Sequence, residues 1–539
     1  MSDVKKSARS LAGIAGIVAA ATLLSKVMGL LRQQALAAAF GVGVVADAYN
    51  YAYVIPGFFL ILLGGINGPF HSAIVSVVSR RQREEIAPLI ETVTTLVGGV
   101  MLLASLLMFL FADPLIDVVA PGLSQTEFGL QTKAIAVEQL RIMAPMALLS
   151  GLIGIGFGVL NADDQYWLPS VSPLFSSLAV LVALGALAGV LGEDVTAARY
   201  AVLGGQVLAW GTLAGALLQW LIQVPAQWKS GLGRLRLRFD FNRPGVRETV
   251  RLMGPATLAS GMMQINVYTD LFFASFIPQA AAALTYANLL VQTPLGIISN
   301  VILVPFLPIF SRLADPADWD ELKVRIRQGL VMTAITMLPL SAILIALAHP
   351  IVRVVYERYA FDQEASQIVT SVLIAYAIGM FVYLGRDVVV RVFYALGDSD
   401  TPFRISIVNI FLNALLDFLL IQRFGAPGLV LATVGVNVIS MTWLLVVLDR
   451  KLNGLPWRSW SQPIIGLTLG SLLTGLTCWG VLWGLQQVWG TEGFFLQLLQ
   501  LSLAGLVGLS VFAGILSQLR LAEVEQIVGR IRRKFQRPG

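Results

Sequence analysis

The chain has 539 residues, 57% of them hydrophobic and only 13% charged, with a formal net charge of +6. A soluble domain normally carries about 25% charged residues, and the mean hydropathy here is +0.78, so a soluble globular domain is excluded. Uncharged runs of about 20 residues recur along the whole length, each long enough to cross about 30 Å of hydrocarbon, whereas a membrane β-barrel would show alternating segments of about 10 residues.

The expected fold class is therefore an all-α polytopic membrane protein. Cys478 is the only cysteine, which excludes an internal disulfide and a cysteine-based metal centre. The two histidines, His71 and His349, lie far apart, and nothing resembles a Walker loop or a dinucleotide-binding glycine fingerprint. ATP-driven transport by this chain alone is not expected, nor is a resident cofactor.

Charged and turn-rich breaks give about fourteen helices, near 10–39, 47–79, 86–112, 132–160, 166–191, 196–226, 246–276, 279–313, 324–348, 364–395, 401–422, 426–449, 460–487 and 495–520. The first apolar stretch, about Leu11 to Phe40, is too long for a signal-peptide core and reads as a spanning helix. Lys26 and Arg32 stand inside it. A cation at bilayer depth costs about 3 kcal/mol or more unless it faces protein or a water-filled cavity. Ser25, Gly29 and Arg32 form one stripe of this helix, and Lys26, Gly29 and Gln33 an adjoining one. One reading is a shared hydrophilic cavity that holds something anionic. The other is pairing with acids on neighbouring helices, or snorkelling to an interface. Asp47, at the start of the second helix, either caps that helix or belongs to an outer gate.

Farther along, Glu138 and Arg141 read as a structural ion pair, and Gly151, Gly154, Gly156 and Gly158 as a close-packing face. The seventh helix carries Gln264, Asn266 and Asp270, the eleventh carries Asn413 and Asp417 one turn apart, and the twelfth carries Thr433 and Asn437. Oxygens of this kind suit a hard cation such as Na⁺, a proton-coupled carboxylate, or a hydrogen-bond network that only fixes packing. Asp387 and Arg391 on the tenth helix read as a structural salt bridge. Trp457, Trp460, Trp483 and Trp489 fit interfacial belts, and Leu521 to Arg537 fits an amphipathic helix on the membrane surface.

Basic residues concentrate in alternate loops, among them Lys5, Lys6 and Arg9, then Arg80, Arg81 and Arg83, then Lys229 to Arg251, and finally Arg530 to Arg537. This asymmetry predicts cytoplasmic termini and an even number of spans. The positive charge is then a topological signal, and no nucleic-acid partner is expected. The break at 229–247 also suggests two halves with internal similarity. Pro69-Phe70 through Ser79-Arg80 echoes Pro305-Phe306 through Ser311-Arg312, and Phe157 through Asp164 echoes Phe393 through Asp400. The expected organisation is a six-helix N-lobe at 1–228, a six-helix C-lobe at 229–452, and two further helices with the tail at 453–539.

The order of these elements resembles the MurJ (MviN) family, lipid II flippases of the MOP exporter superfamily. The resemblance rests on Ser25-Lys-Val-Met-Gly-Leu-Leu-Arg32, Ala46-Asp-Ala-Tyr49, Leu160-Asn161 with Pro169 and Pro173, Arg391 through Pro402, and Asn413-x-x-x-Asp417. It implies movement of undecaprenyl-pyrophosphate-linked disaccharide-pentapeptide from the inner to the outer leaflet of the bacterial inner membrane, for peptidoglycan synthesis. It further implies two lobes around a cationic cavity, a lipid-facing groove on the last two helices, and cell-wall synthesis proteins as partners. The family's basic residues in helix 1 match Lys26 and Arg32, joined here by Ser25, Gln33 and Asp47 as candidate substrate contacts. Its Na⁺ site falls on Asp270, Asn413, Asp417 and Thr433, and either Na⁺ binding or the membrane potential is expected to reset the lobes.

Two departures stand out. An arginine pair that many members carry in helix 2 is replaced by the apolar Phe58 to Leu63, and an Asp-Arg pair in helix 8 by Asn288-Leu289. They motivate a rival reading, a MOP-type flippase of another polyprenyl-linked oligosaccharide. A cation-coupled drug antiporter is a third, and the helix 1 cations oppose it.

Overall fold

The computed structural model describes residues 2–65, 68–519, 521, 523 and 525. Among them no strand occurs, and the helices are α1 (Ser2–Phe40), α2 (Val44–Leu63), α3 (Pro69–Val78), α4 (Arg83–Leu110), α5 (Ala112–Val119), α6 (Glu127–Met143), α7 (Met146–Ala162), α8 (Trp167–Leu191), α9 (Ala201–Leu221) and α10 (Val224–Ser230). They continue as α11 (Pro244–Met263), α12 (Ile265–Ala274), α13 (Ala280–Arg312), α14 (Trp319–Ala346), α15 (Ala348–Tyr356), α16 (Gln363–Ala395), α17 (Asp400–Phe424), α18 (Ala426–Lys451), α19 (Trp457–Trp489) and α20 (Phe494–Gln518). An all-helical architecture is what a lipid-embedded backbone requires, because each helix satisfies its own polar groups. Among the described residues, eleven helical segments are long and apolar enough to cross a membrane, or twelve if α6 and α7, bent by 44°, form one broken span.

Several helices expected as continuous are broken, each for a local reason. The stretch expected at 47–79 splits where Gly64 closes α2, its N–H bonded to Leu60 C=O at 3.0 Å, and Pro69 reopens the helix as α3. The bend between α6 and α7 falls at Pro145, which cannot supply an intrahelical N–H. Helix seven divides at Gln264 into α11 and α12.

Two compact units result. The first comprises Met1–Ala282 with Arg358–Phe361, and the second Ala283–Glu357 with Asp362–Gly539. In the first, α8 packs against α1 and α9, while α2 packs against α6, α7 and α9. Leu63, Phe70, Ile74, Val93, Val97, Ile155 and Val159 fill one core where α2, α3, α4 and α7 meet. The small-residue face of α7 makes this approach possible: a Cβ on Gly154 would stand 1.9 Å from Leu63 O, and one on Gly158 would stand 2.8 Å from Ile74. Packing of this kind, rather than hydrophobic transfer, holds helices together in lipid.

In the second unit α16 lies against α14, α15 and α18, and α17 pairs with α18. The last two helices pack on each other, and α19 runs along α14. Val331, Ala334, Leu467, Phe512 and Leu521 form one core there, and Leu347, Cys478, Leu482 and Ala504 another. Leu521 and Glu523, the described start of the tail, are buried in this unit; the rest of the expected amphipathic tail lies outside the described residues.

Candidate functional site

Helix α1 runs without a proline to Phe40 and ends at Gly41, whose φ of +55° suits glycine and whose N–H caps Ala37 C=O at 2.8 Å. Ser25 Oγ donates to the Ser170 carbonyl at 3.2 Å and ties α1 to α8. Lys26, the next position around the helix, is exposed, and Arg32 and Gln33 are half-buried. Among the described residues no carboxylate lies within ion-pair reach of Lys26 or Arg32. Among the described residues, interhelical pairing therefore does not account for them.

Arg32 acts electrostatically on the buried phenol of Tyr49, whose hydroxyl lies 3.1 Å from Thr212 Oγ1 and whose ring stacks on Tyr53 at 5.4 Å. Gln33 Oε1 is buried with no hydrogen-bond partner among the described residues. The helix 1 candidates thus share their surroundings with two tyrosines and a threonine that sequence reasoning missed. Hydroxyls inside apolar helices leave no periodic signal, so only packing reveals them.

Asp47 is 1% exposed and does not cap its own helix. Its Oδ1 instead accepts the N–H of Ala282 at 2.8 Å, in the first turn of α13. A carboxylate there meets unsatisfied N–H groups and the positive end of the helix dipole. Close by in the chain, Ala360 N–H donates to Ala38 C=O at 3.0 Å, and a Cβ on Gly41 would stand 2.3 Å from Ala360 O. Segments 38–47, 280–282 and 358–361 are thus fastened to one another within the first unit.

The oxygen-bearing candidates divide between the units. Asn413 and Asp417, 2% and 0% exposed, face one side of α17, where Asn413 Nδ2 donates to Asp417 Oδ2 at 2.9 Å. Thr433 Oγ1 on α18 reaches Asn413 Oδ1 at 3.4 Å, and Asn437 Nδ2 donates to Thr433 O at 2.7 Å. One turn along α17, Asn409 shares Ser440 Oγ with Arg386, at 3.1 and 2.9 Å. Asp270, half-buried on α12, belongs to the first unit. Asn413, Asp417 and Thr433 are thus linked to one another by hydrogen bonds around a fully buried carboxylate. No cluster of three or more His, Cys, Asp or Glu side chains able to hold a metal occurs among the described residues.

Two expected ion pairs are not formed. Glu138 accepts from Gln206 Nε2 rather than from Arg141, and Arg391 donates to Leu303 C=O at 3.1 Å rather than to Asp387. In both cases a neighbouring helix offers a partner that the i,i+3 or i,i+4 geometry could not reveal. The two turns expected to be related by repeat are both polar knots. Asn161 Nδ2 lies 2.6 Å from His71 Nε2, and Asp398 accepts Lys451 Nζ at 2.6 Å, Thr401 Oγ1 at 2.8 Å and Thr401 N–H at 3.0 Å. Burial alone would raise the Asp398 carboxyl, but these donors outweigh it and hold it below the ordinary carboxylate range.

The sequence model described as "Lipid II flippase MurJ" matches residues 36–503. A protein of Synechocystis sp., described as "Probable lipid II flippase MurJ", is 57% identical over 539 residues, 100% of both chains. The "Lipid II flippase MurJ" of Burkholderia cenocepacia is 27% identical over 472 residues, 85% of this chain and 88% of the other. Among solved structures, a lipid II flippase MurJ in an inward closed conformation superposes with a TM-score of 0.72 at 22% identity, covering 93% of this chain and 98% of that one. An inward-facing multidrug resistance MATE transporter of the MOP superfamily gives 0.62 at 13% identity, covering 81% and 98%. These two likenesses bear on the fold alone. With the sequence model spanning most of the chain and a relative identical at more than half of all positions, the chain belongs to the MurJ lipid II flippase family.

Proposed function

We propose that this chain moves lipid II, the undecaprenyl-pyrophosphate-linked disaccharide-pentapeptide, from the inner to the outer leaflet by alternating access. The observation that carries this reading is the pair of helix 1 cations, Lys26 and Arg32, with no carboxylate in reach among the described residues. A pyrophosphate is the counter-charge such a pair lacks. Ser25, Gln33 and Asp47 complete the contact set, and the segments joined through Asp47 act as the outer gate. No covalent bond changes in this cycle, so the chain is not an enzyme.

Fourteen spans in two six-helix lobes, 1–228 and 229–452, with two further helices at 453–539, fit the basic-loop asymmetry. That asymmetry supports cytoplasmic termini in a bacterial inner membrane. Asn413, Asp417 and Thr433, within the second unit, would hold Na⁺. The ion would supply positive charge beside a buried carboxylate. Cell-wall synthesis proteins are the expected partners. The apolar Phe58 to Leu63 favours a second reading, in which the glycan on the polyprenyl carrier is a different one.

The test is to deplete a host's own lipid II flippase, express this chain, and measure lipid II reaching the outer leaflet. Rescue with translocation is the expected result. A well-expressed, membrane-inserted chain that leaves lipid II inside would move the assignment to another polyprenyl-linked glycan.

A further inference from the structure

In the second unit, the first turns of α14, the Asn453–Pro456 turn and the start of α19 line an open pocket of about 430 Å³. Asp320, Lys323, Arg327, Ser459 and Trp460 are among its lining residues. Arg327 is already engaged: its Nε donates to Ser459 C=O at 3.1 Å, and its Nη1 pairs with the buried Glu523. Two other donors are not so placed. Trp460 is 4% exposed, yet its indole Nε1 has no acceptor among the described residues. An indole N–H can only donate, and a buried donor left unmade is costly. Lys323 keeps only 17% of its side chain in solvent, and its one carboxylate partner, Asp320, stands 3.5 Å away with a fully solvent-exposed side chain. Such a screened pair leaves the Lys323 ammonium with no buried counter-charge among the described residues.

The pocket therefore presents a cation whose one carboxylate partner is fully exposed and an indole N–H with no acceptor among the described residues. Its place in the fold indicates where an acceptor comes from. Both flanking helices are long apolar segments fit to span a membrane, and the pocket sits at their ends, where the chain leaves the apolar layer. Trp457, 44% exposed, stands beside it as an interfacial tryptophan would. Arg450 and Arg458 add positive charge along this turn, while Lys451 is held by Asp398 and Asp449 accepts from Leu455 N–H and Trp457 Nε1.

We propose that this pocket binds the phosphate of an anionic phospholipid from the surrounding bilayer, with Lys323 supplying the charge and Trp460 the directed N–H. The site is separate from the helix 1 cations, and its occupancy does not depend on which glycolipid the chain transports.

The test uses the purified full-length chain in neutral detergent, titrated with phosphatidylglycerol and followed by native mass spectrometry. Phosphatidylcholine and inorganic phosphate serve as comparison probes. Lys323→Gln keeps the helix and removes the charge, while Trp460→Phe keeps the packed ring and removes the N–H, so the two variants report independently. The expected result is a tight phosphatidylglycerol adduct weakened about tenfold by each variant, the loss usual for one charge-assisted or buried donor. Equal affinity in wild type and both variants would overturn the site. Phosphatidylcholine bound as tightly as phosphatidylglycerol would overturn the requirement for net negative charge. Inorganic phosphate that displaces the lipid, and loses this ability in the variants, would make it a soluble-anion site and overturn the lipid assignment.

Discussion

Lys26 and Arg32 sit about a turn and a half apart on α1, one exposed and one half-buried, with no acid in ion-pair reach among the described residues. Truncating both, Lys26→Ala with Arg32→Ala, is expected to abolish rescue of a flippase-depleted host while leaving the amount of membrane-inserted protein unchanged. Lys26→Arg should retain rescue, because it keeps the charge and adds a fork suited to phosphate oxygens. Normal growth on the double alanine variant would remove the pyrophosphate role from helix 1. Asp398 supports a second prediction of a different kind. Its folded carboxyl lies below the ordinary range, so its contribution is present above the unfolded value near 3.9 and is lost as pH falls through the folded value. Lys451→Met should therefore lower thermal stability at pH 7 by about 1 kcal/mol, a modest figure because the pair is partly solvated. The gap from wild type should narrow as pH falls through the folded value of the Asp398 carboxyl and close once that group is protonated in both; a gap that persists there would assign the effect to lost packing instead. The charged residues of helix 1 and the Asn413–Asp417 pair were legible in the sequence, since charge in an apolar run needs no structure to be noticed. Tyr49, Thr212 and the true partner of Asp47 were not, because each depends on which helix lies opposite.

At the scale of elements, the apolar runs gave the helices and the prolines and glycines gave some of their ends, but breaks inside a run were harder to see. Gly64, Pro145 and Gln264 interrupt stretches whose hydropathy is continuous across them. The break follows from local backbone hydrogen bonding, to which a hydropathy window is blind. The glycines of α7 were legible as a packing face, and the structure identifies what they pack on. Gly154→Ala would drive a methyl into the Leu63 carbonyl, which is backbone and cannot swing aside. We expect a loss of about 1–3 kcal/mol, the usual cost of overpacking, seen as reduced accumulation and a lower melting temperature in detergent. Gly185→Ala is the matched control, since nothing lies within 4 Å of the Cβ it would add. It should be neutral or slightly stabilising, as alanine is the better helix former by roughly 0.5–1 kcal/mol. Equal effects at the two positions would show that helix propensity, and not the approach of α2 to α7, sets the cost.

For the molecule as a whole, alternating access requires a fastening that holds one state and can be released. The contacts among segments 38–47, 280–282 and 358–361 have the right size. They include one neutral backbone hydrogen bond, Ala360 to Ala38, and one to a carboxylate, Ala282 to Asp47. Together these contribute about 2–4 kcal/mol on ordinary scales, enough to keep the released state at a few per cent or less. A ligand with a modest difference in affinity between the two states can still shift such an equilibrium. Making the fastening permanent should therefore stop the cycle. An N–O distance of 3.0 Å between Ala360 and Ala38 brings their α-carbons to roughly disulfide range, about 4.4–6.8 Å. The variant Ala38→Cys with Ala360→Cys, built on Cys478→Ser to remove the only native thiol, should cross-link on mild oxidation and cease to deliver lipid II to the outer leaflet. Reductant should restore delivery in the same cells, which separates a locked protein from a misfolded one. Full-rate delivery by a completely cross-linked chain would mean that these segments move as one body throughout transport, and the gate would have to be sought elsewhere.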